Sequence, residues 1–278
     1  MEQGIMCSMQ DDALVRRLED VDAQNAVAFA LALSDHDPSW GTETLAVAGG
    51  RLVLCGPGMY VNRAIATGID QPLRVSDVGL ILERSAAVGV PAAVEVTAAT
   101  NPDSVTLLGD LGFVPDTGDG TTVLVRKLDD VPDELGRPGV VIVSARDRSL
   151  ADWQGVSALG WGHATPSARR AADAFARAAF EVDGDGMVLA VDHSDGRPLG
   201  CASLTIHEEV ATLGGMSTIP AERGRGVQAA LILHRLGLAR DAGCSIATTT
   251  TVVGGASERN VMRFGFRKLH VKQIHTRQ

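Results

Sequence analysis

Arginines and glycines alternate in the segment RGRG at residues 223–226, directly before a predicted helix. Pro220, just upstream, ends the preceding strand because its nitrogen has no proton to donate to a ladder. Apolar Val227, Leu231 and Leu238 recur at a helical spacing. Glycines let the backbone approach a ligand closely, and the first amides of a helix have no partner within it. The segment therefore predicts an anion-binding turn at a helix N-terminus.

The two arginines of this segment, Arg223 and Arg225, indicate which anion would bind. A helix dipole contributes only ~0.3–1 kcal/mol per neighbouring charge when exposed, so it does not hold a ligand alone. Guanidinium groups add bidentate, charge-assisted bonds, and two of them beside a glycine turn suit a pyrophosphate better than a carboxylate. The alternative is a surface turn whose arginines are solvated.

Residues 224–229, GRGVQA, also satisfy the GxGxxA fingerprint of dinucleotide-binding proteins. That fingerprint follows the first strand of a parallel βαβ unit, and the next strand ends in an acidic residue that binds the ribose. Here the segment follows predicted antiparallel strands, and the next strand ends in threonines at 248–251. We therefore do not expect NAD(P) to bind at this turn.

The elements around the turn predict a mixed sheet. Short links, DGRPLG at 195–200 and the acidic pair at 208–209, join consecutive strands and imply an antiparallel meander. We predict strands at 140–146, 187–192, 200–207, 210–218, 245–252 and 268–277, and helices within 149–180 and at 226–242 and 256–264. Strands and helices in this order indicate an α+β or α/β protein.

The late part of this pattern occurs twice along the chain. Residues 81–113 and 232–266 both read as helix, glycine turn, β-branched strand, loop, short helix and a Gly-Phe pair before a closing strand. An acidic segment with prolines and glycines, 128–139, separates the copies. We predict two domains, 1–130 and 138–278. The first domain lacks the anion-binding turn, because no paired glycines precede its corresponding helix.

The composition of the chain argues against several classes of function. With 25 Lys+Arg against 34 Asp+Glu and a net charge of −9, no broad basic face for nucleic acid is expected. No apolar run reaches the ~18–20 residues of a membrane helix, and the first residues lack the pattern of a signal peptide. We therefore expect no membrane partner and a cytoplasmic location. The four cysteines lie too far apart to form a zinc or redox site, so we expect no metal.

Residues 212–278 resemble the GNAT superfamily of acyl-CoA-dependent N-acetyltransferases. The signature of that family, Arg/Gln-x-x-Gly-x-Gly/Ala, lies between its fourth strand and third helix. Residues 223–227 fit the first five places, and Gln228 stands in the sixth. The Gly-Phe pair at 265–266, before the last strand, also matches. The resemblance implies an α+β (α/β) fold with two GNAT-like domains, each with a mixed, mostly antiparallel central sheet flanked by helices.

The resemblance also implies acetyl-CoA as the acyl donor and a site for it. The residues that would bind its pyrophosphate are Arg223 and the backbone amides of Gly224, Arg225, Gly226, Val227 and Gln228. The strand around Met216 and Thr218 would pair with the pantetheine arm as another strand does. The start of the next helix, around Ser257 and Asn260, would face the cofactor from the other side.

Direct acetyl transfer needs an amine without its proton and an acid for the departing thiolate. The resemblance implies a glutamate near the central strands as the base, and we predict Glu208; the alternative for Glu208 and its neighbour Glu209 is a solvated turn. The family often places a tyrosine in the last helix, but the single tyrosine here is Tyr60, in the other half. The thiolate then leaves unassisted, through water or through Ser257.

The sequence therefore predicts an acetyl-CoA-dependent N-acetyltransferase that moves an acetyl group directly to an amine of a small molecule or peptide. The acidic excess mildly favours a cationic acceptor. The alternative is a non-catalytic acyl-CoA-binding sensor or regulatory module, which the missing helix tyrosine and Gln228 suggest. We expect a monomer or homodimer that binds one acetyl-CoA per chain.

Overall fold

The computed structural model of the protein describes residues 9–118, 120–131, 139–162 and 165–277. The first half contains α1 (Met9–His36), β1 (Glu43–Val47), β2 (Gly50–Leu54), β3 (Arg63–Ile65), α2 (Val75–Val88), β4 (Ala92–Val96), α3 (Pro102–Asp110), β5 (Val114–Pro115) and β6 (Thr121–Lys127). The second half contains β7 (Val140–Ser144), α4 (Leu150–Trp161), α5 (Pro166–Asp183), β8 (Val188–Asp192), β9 (Pro198–His207), β10 (Val210–Thr218), α6 (Val227–Asp241), β11 (Ile246–Val252), α7 (Ala256–Met262) and β12 (Arg267–Arg277).

Local sequence explains where these elements begin and end. Ser149 caps α4 by accepting a hydrogen bond from the Asp152 N–H, and Thr165 caps α5 through the Ala168 N–H. Gly89, at a φ of +75°, ends α2 in the left-handed conformation. In the second half, the ends of the strands and of α6 and α7 lie within two residues of their predicted positions.

The strands form one mixed sheet in the order β1-β2-β3-β4-β12-β6-β11-β10-β9-β8-β7, and β5 pairs with β12 off this path. The parallel pairs are β3 with β4 and β10 with β11, and the other described pairs are antiparallel. One parallel pair lies in each half of the chain. The predicted class, a mixed and mostly antiparallel sheet flanked by helices, is confirmed.

The last strand of each half lies among strands of the other half. β6, from the first half, pairs with β11 on one side and β12 on the other. β12, from the second half, continues past β6 to pair with β4 and β5. The sheet is thus continuous through exchanged strands. The domain boundary at 130 and 138 stays a prediction, and residues 132–138 of the predicted linker lie outside the described residues.

Helices cover both faces of this sheet. On one face, α6 buries Ile232 and Leu236 against Leu213 of β10, and α2 buries Ile81 against Val94 of β4. On the opposite face, buried side chains of α1, α4 and α5 form further clusters, among them Leu18, Val21, Phe29, Leu33, Trp153, Ala171 and Ala176. Burial of apolar side chains on both faces stabilises the exchanged arrangement.

The described part of the chain contains neither a membrane-spanning helix nor a metal-binding cluster. None of its helices combines the length and apolar character that crossing a bilayer requires. Its His, Cys, Asp and Glu residues form no group of three or more placed to hold a metal ion.

Candidate active site

The two parallel strands of the second half separate along their length. β10 pairs with β11 only from Val210 with Ile246 to Thr212 with Thr248. At the next residues the Thr249 hydroxyl donates to the Leu213 carbonyl at 2.8 Å, and no ladder pair follows. Because β9 pairs with the other edge of β10, the edge that faces β11 is left open from this point. We call this opening the splay.

A β-bulge lies in β10 within the splay. The register with β9 shifts between Gly214 and Ser217. Gly215 there has a φ of +56°, and a Cβ on it would meet Ser203 Oγ at 2.8 Å and the Trp153 ring at 3.2 Å. The conformation and the close helix packing both require glycine at this position. The bulge therefore fixes the course of the strand where the splay opens.

The predicted anion-binding turn has the backbone that its sequence implies. After β10, a 3-10 turn at Pro220–Glu222 leads to Gly224 and Gly226, with φ angles of +82° and +80°. Gly226 is the N-cap of α6, which has no side-chain cap and no acidic residue in its first turn. The first amides of α6 are thus free of side-chain acceptors, as an anion site requires.

The two arginines of the turn have different surroundings. Arg223 is exposed, its Nη2 is 3.4 Å from the Gly160 carbonyl oxygen of α4, and it forms no ion pair with a carboxylate of the described residues. The Arg225 guanidinium instead contacts Glu222 and Asp192. The exposed position of Arg223 is compatible with the prediction that its side chain flanks a phosphate. The Arg225 side chain is instead held by ion pairs within the protein.

That network anchors the turn to the end of β8. Arg225 Nη2 lies 2.7 Å from an Asp192 oxygen, and Arg197 also contacts both Asp192 and Glu222. Hydrogen bonds from Ser194 and then Arg225 hold the pKa of Asp192 below its usual range, and Arg197 and Arg225 do the same for the pKa of Glu222. These ion pairs keep the carboxylates of Asp192 and Glu222 ionised and hold the anion-binding turn against the end of β8.

The structure brings together predicted cofactor-binding residues of α6 and α7. Asn260 Nδ2 donates to Gln228 Oε1 at 2.6 Å, which joins the first turn of α6 to α7. Ser257 is exposed in the first turn of α7. The buried Glu258 fixes this helix by contacting the Thr122 hydroxyl at 2.5 Å and Lys268 Nζ at 2.6 Å. Gln228, Ser257 and Asn260 therefore lie at the same end of the sheet as the anion-binding turn.

The two predicted strand residues contribute mainly backbone to the splay. The Met216 side chain packs toward the core under α6, and its sulfur lies 3.3 Å from Arg235 Nη2. Thr218 ends β10 opposite Gly200 of β9. Across the splay, the Thr251 hydroxyl of β11 is buried and has no hydrogen-bond partner among the described residues. A ligand in the splay would find the backbone of β10 on one side and β11, which carries Thr251, on the other.

The structure does not bring Glu208 to the splay. Glu208 lies at the tip of the β9–β10 hairpin, exposed, with a φ of +51°. Gly214 lies six positions further along the chain, which corresponds to roughly 20 Å in an extended strand. Its neighbour Glu209 contacts the Ser245 hydroxyl and Arg17 at this far end. The geometry therefore gives no support to Glu208 as the base.

Sequence reasoning missed residues of α1 and α6 that border the splay. Asn25 Nδ2 of α1 lies 3.4 Å from the hydroxyl oxygen of Thr212, the residue of the last β10–β11 ladder pair. Arg235 of α6 is 1% exposed and donates to the Gly214 carbonyl. A signal for Arg235 was present in the sequence, because it lies four residues after Leu231 and three before Leu238, on the apolar face of the predicted helix. Asn25 had no local signal, because α1 is remote in sequence.

Comparison with known proteins agrees with this geometry. Residues 150–266 match the model of the acetyltransferase (GNAT) family. A search of curated proteins gives no match. The matched segment includes the bulge, the anion-binding turn and α7, and the predicted resemblance to the GNAT family is confirmed. This match supports acyl transfer as the general type of reaction.

Solved structures show the same fold over most of the chain. A GCN5-related N-acetyltransferase from Kribbella flavida has 18% identity and a TM-score of 0.63, over 91% of this chain and 94% of that chain. One from Sphaerobacter thermophilus has 16% identity and a TM-score of 0.58, over 77% and 71%. A tandem GNAT protein from the clavulanic acid biosynthesis pathway has 19% identity and a TM-score of 0.55, over 82% and 77%.

Proposed function

We propose that the chain transfers an acetyl group from acetyl-CoA directly to an amine of a small molecule or peptide. The observation that carries the proposal is the uncapped start of α6, with its two left-handed glycines, beside the splay of β10 and β11. A free helix N-terminus binds phosphate, and an open strand edge binds an extended chain that carries amide groups. Acetyl-CoA combines both chemical features in one molecule.

The residues present fit this donor. The amides from Gly224 to Gln228 and the unpaired Arg223 guanidinium would hold the pyrophosphate. The open edge of β10 from Met216 to Thr218 would bind the pantetheine amides, facing the unpartnered Thr251 hydroxyl. Acetyl-CoA would supply an activated thioester at the bulge. Ser257 stays in the proposal as a proton donor to the thiolate, since it lies in α7 at this end of the sheet.

We assign the acceptor to the face of the sheet that α1 covers. Asn25 reaches Thr212 at the start of the splay, and Asp22 lies one helical turn earlier on the same face of α1. Asp22 contacts Lys272 Nζ at 2.8 Å and its side chain is 36% exposed. The first half would thus form a wall of the acceptor site.

The charges around Asp22 favour a cationic acceptor. Lys272 also contacts Glu19 and Glu95, whose side chains are 0% and 3% exposed, and Arg63 contacts Glu95. Three carboxylates therefore share Lys272 and Arg63, and the His270 ring also contacts Glu19 at 2.8 Å. Asp22 is the carboxylate that reaches solvent. Burial raises the pKa of Asp22, but Lys272 and Arg63 outweigh it and lower that pKa. An ionised Asp22 would attract an ammonium group.

A second candidate function is non-catalytic binding of acyl-CoA. The place in α7 where GNAT enzymes often have a tyrosine is near Val261, which is 2% exposed and packs in the core. Turnover separates the two functions: thiol release from acetyl-CoA in the presence of an amine, amino acid and peptide panel supports the enzyme. Binding without release for any acceptor supports the sensor.

Isothermal titration with acetyl-CoA tests the donor site. We expect one site per chain, and loss of binding in Arg223→Glu with the circular dichroism spectrum unchanged, because a carboxylate would repel the pyrophosphate. Arg51→Glu, on the exposed side of β2, makes the same charge change away from the splay and should bind normally. Two sites per chain, or an unchanged affinity in Arg223→Glu, would refute this assignment.

A further inference from the structure

Arg235 is a buried arginine whose contacts are all neutral. It is 1% exposed within α6. Its Nε donates to the Leu231 carbonyl at 3.0 Å, and its Nη1 donates to the Ser203 and Gly214 carbonyls at 2.8 and 3.1 Å. Its Nη2 lies 3.3 Å from the Met216 sulfur. The guanidinium is therefore well hydrogen-bonded but not neutralised by these partners.

No carboxylate of the described residues forms an ion pair with Arg235. Burial lowers the pKa of Arg235 to about 9, so the side chain remains a cation at neutral pH. A buried charge without a counter-ion is destabilising, and proteins rarely place one in a core without a use for it. Arg235 thus places a buried positive charge here that no carboxylate of the described residues balances, and an anion that forms nearby would be stabilised by it.

The position of Arg235 indicates where that anion forms. Gly214 is the second residue of β10 beyond the last ladder pair with β11, and it begins the bulge. The same nitrogen of Arg235 holds the Gly214 carbonyl and the Ser203 carbonyl of β9. Arg235 therefore fixes the Gly214–Gly215 peptide and places a positive charge under the sheet at the start of the splay.

We propose that Arg235 is a positioning residue whose cation stabilises the negative charge that develops at the bulge during acyl transfer. This inference rests on the proposed function. The amine nitrogen bonds to the thioester carbon, whose oxygen becomes transiently anionic. The C–S bond then breaks, its electron pair goes to sulfur, the amine proton goes to solvent, and the thiolate afterwards takes up a proton through Ser257. A cation below the bulge lowers the free energy of both anions, so that no helix tyrosine is needed.

The thiol pKa of bound CoA tests this role without relying on turnover. The ultraviolet absorbance of the thiolate is titrated for free CoA, for CoA bound to the wild type, and for CoA bound to Arg235→Met. We expect the wild type to lower the thiol pKa by about one unit, which is a tenfold change in ionisation, and the variant to remove that shift. We expect kcat to fall about tenfold, with the KM for acetyl-CoA within about threefold.

Two further variants keep the test decisive. Arg235→Lys retains the cation, so it should fold and keep most of the thiol pKa shift even where Arg235→Met does not fold. Arg240→Met removes a cation from the end of the same helix and should leave the shift unchanged. An equal thiol pKa in the wild type and Arg235→Met, or loss of the shift in folded Arg235→Lys, would overturn the inference. Failure of the wild type to bind CoA would instead refute the proposed donor.

Discussion

Helices α2 and α6 occupy equivalent places in the duplicated pattern but begin differently. In α2 the Asp77 carboxylate, at the third helical position, accepts a hydrogen bond from the Arg74 N–H at 2.8 Å. In α6 the equivalent position is Ala229, and no side chain caps the helix. A carboxylate at this place accepts the N–H of the N-cap residue and puts a negative charge at the start of the helix, which repels an anion. One side chain thus distinguishes a self-capped helix from a candidate phosphate site.

The segments before the two helices differ as well. In the first half, the Ser104 hydroxyl accepts from the Leu73 N–H at 2.8 Å, and the Asn101 N–H donates to the Gly68 carbonyl at 2.7 Å. These bonds tie the segment between β3 and α2 to the start of α3. In the second half, the described link is between the side chains of Gln228 and Asn260. In the first half, backbone groups before the helix are bonded within the protein. In the second half, we expect the corresponding groups to be available to a ligand.

The largest effect is expected when the first half's cap is copied into α6. Ala229→Asp places a carboxylate beside the anion-binding turn, and we expect the affinity for acetyl-CoA to fall about 100-fold, since like charges about 4 Å apart near a surface repel by a few kcal/mol. Isothermal titration measures the change. Ala229→Asn keeps the shape and the capping ability without the charge, and equal affinities for the two variants would show that the difference between the helices is not electrostatic.

A smaller effect is expected at the acceptor wall, which the first half provides. Asp22→Asn removes the exposed carboxylate, and we expect the KM of a cationic amine acceptor to rise about tenfold, or about 1.4 kcal/mol, with little change in kcat. Steady-state kinetics with saturating acetyl-CoA measure it. Asp20→Asn, on the exposed side of α1, is the matched control. The same rise in both variants would mean that only the overall charge of the protein matters.

The smallest effect concerns the stability of the first half. Asp77→Ala removes the cap of α2, and we expect the free energy of unfolding to fall by about 0.5–1 kcal/mol, as chemical denaturation would measure. The stoichiometry of acetyl-CoA should stay at one, because the segment before α2 remains bonded to α3. A second site in this variant would show that Asp77 alone closes the first half to the cofactor.

The sequence predicted the local features of the second half because they depend on neighbouring residues. Pro220 ends a strand, the glycines at 224 and 226 adopt positive φ, and the apolar spacing from Val227 indicates α6. Each of these effects acts over a few residues. The Gln228 and Asn260 predictions came from the family resemblance, and the structure brings these two side chains into contact.

The tertiary structure alone decided which long-range partners meet. Strands β6 and β12 are exchanged between the halves, and Glu208 lies far from the splay. Arg225 is paired with Asp192, whereas Arg223 contacts no carboxylate of the described residues. Arg235 and α1 reach the splay from segments outside the predicted motif. Such contacts depend on how the sheet is ordered and how helices pack on it, and many orders are compatible with the same local patterns. The sequence by itself determined the elements and the anion-binding turn, and the packing decided which charges remain available to a ligand.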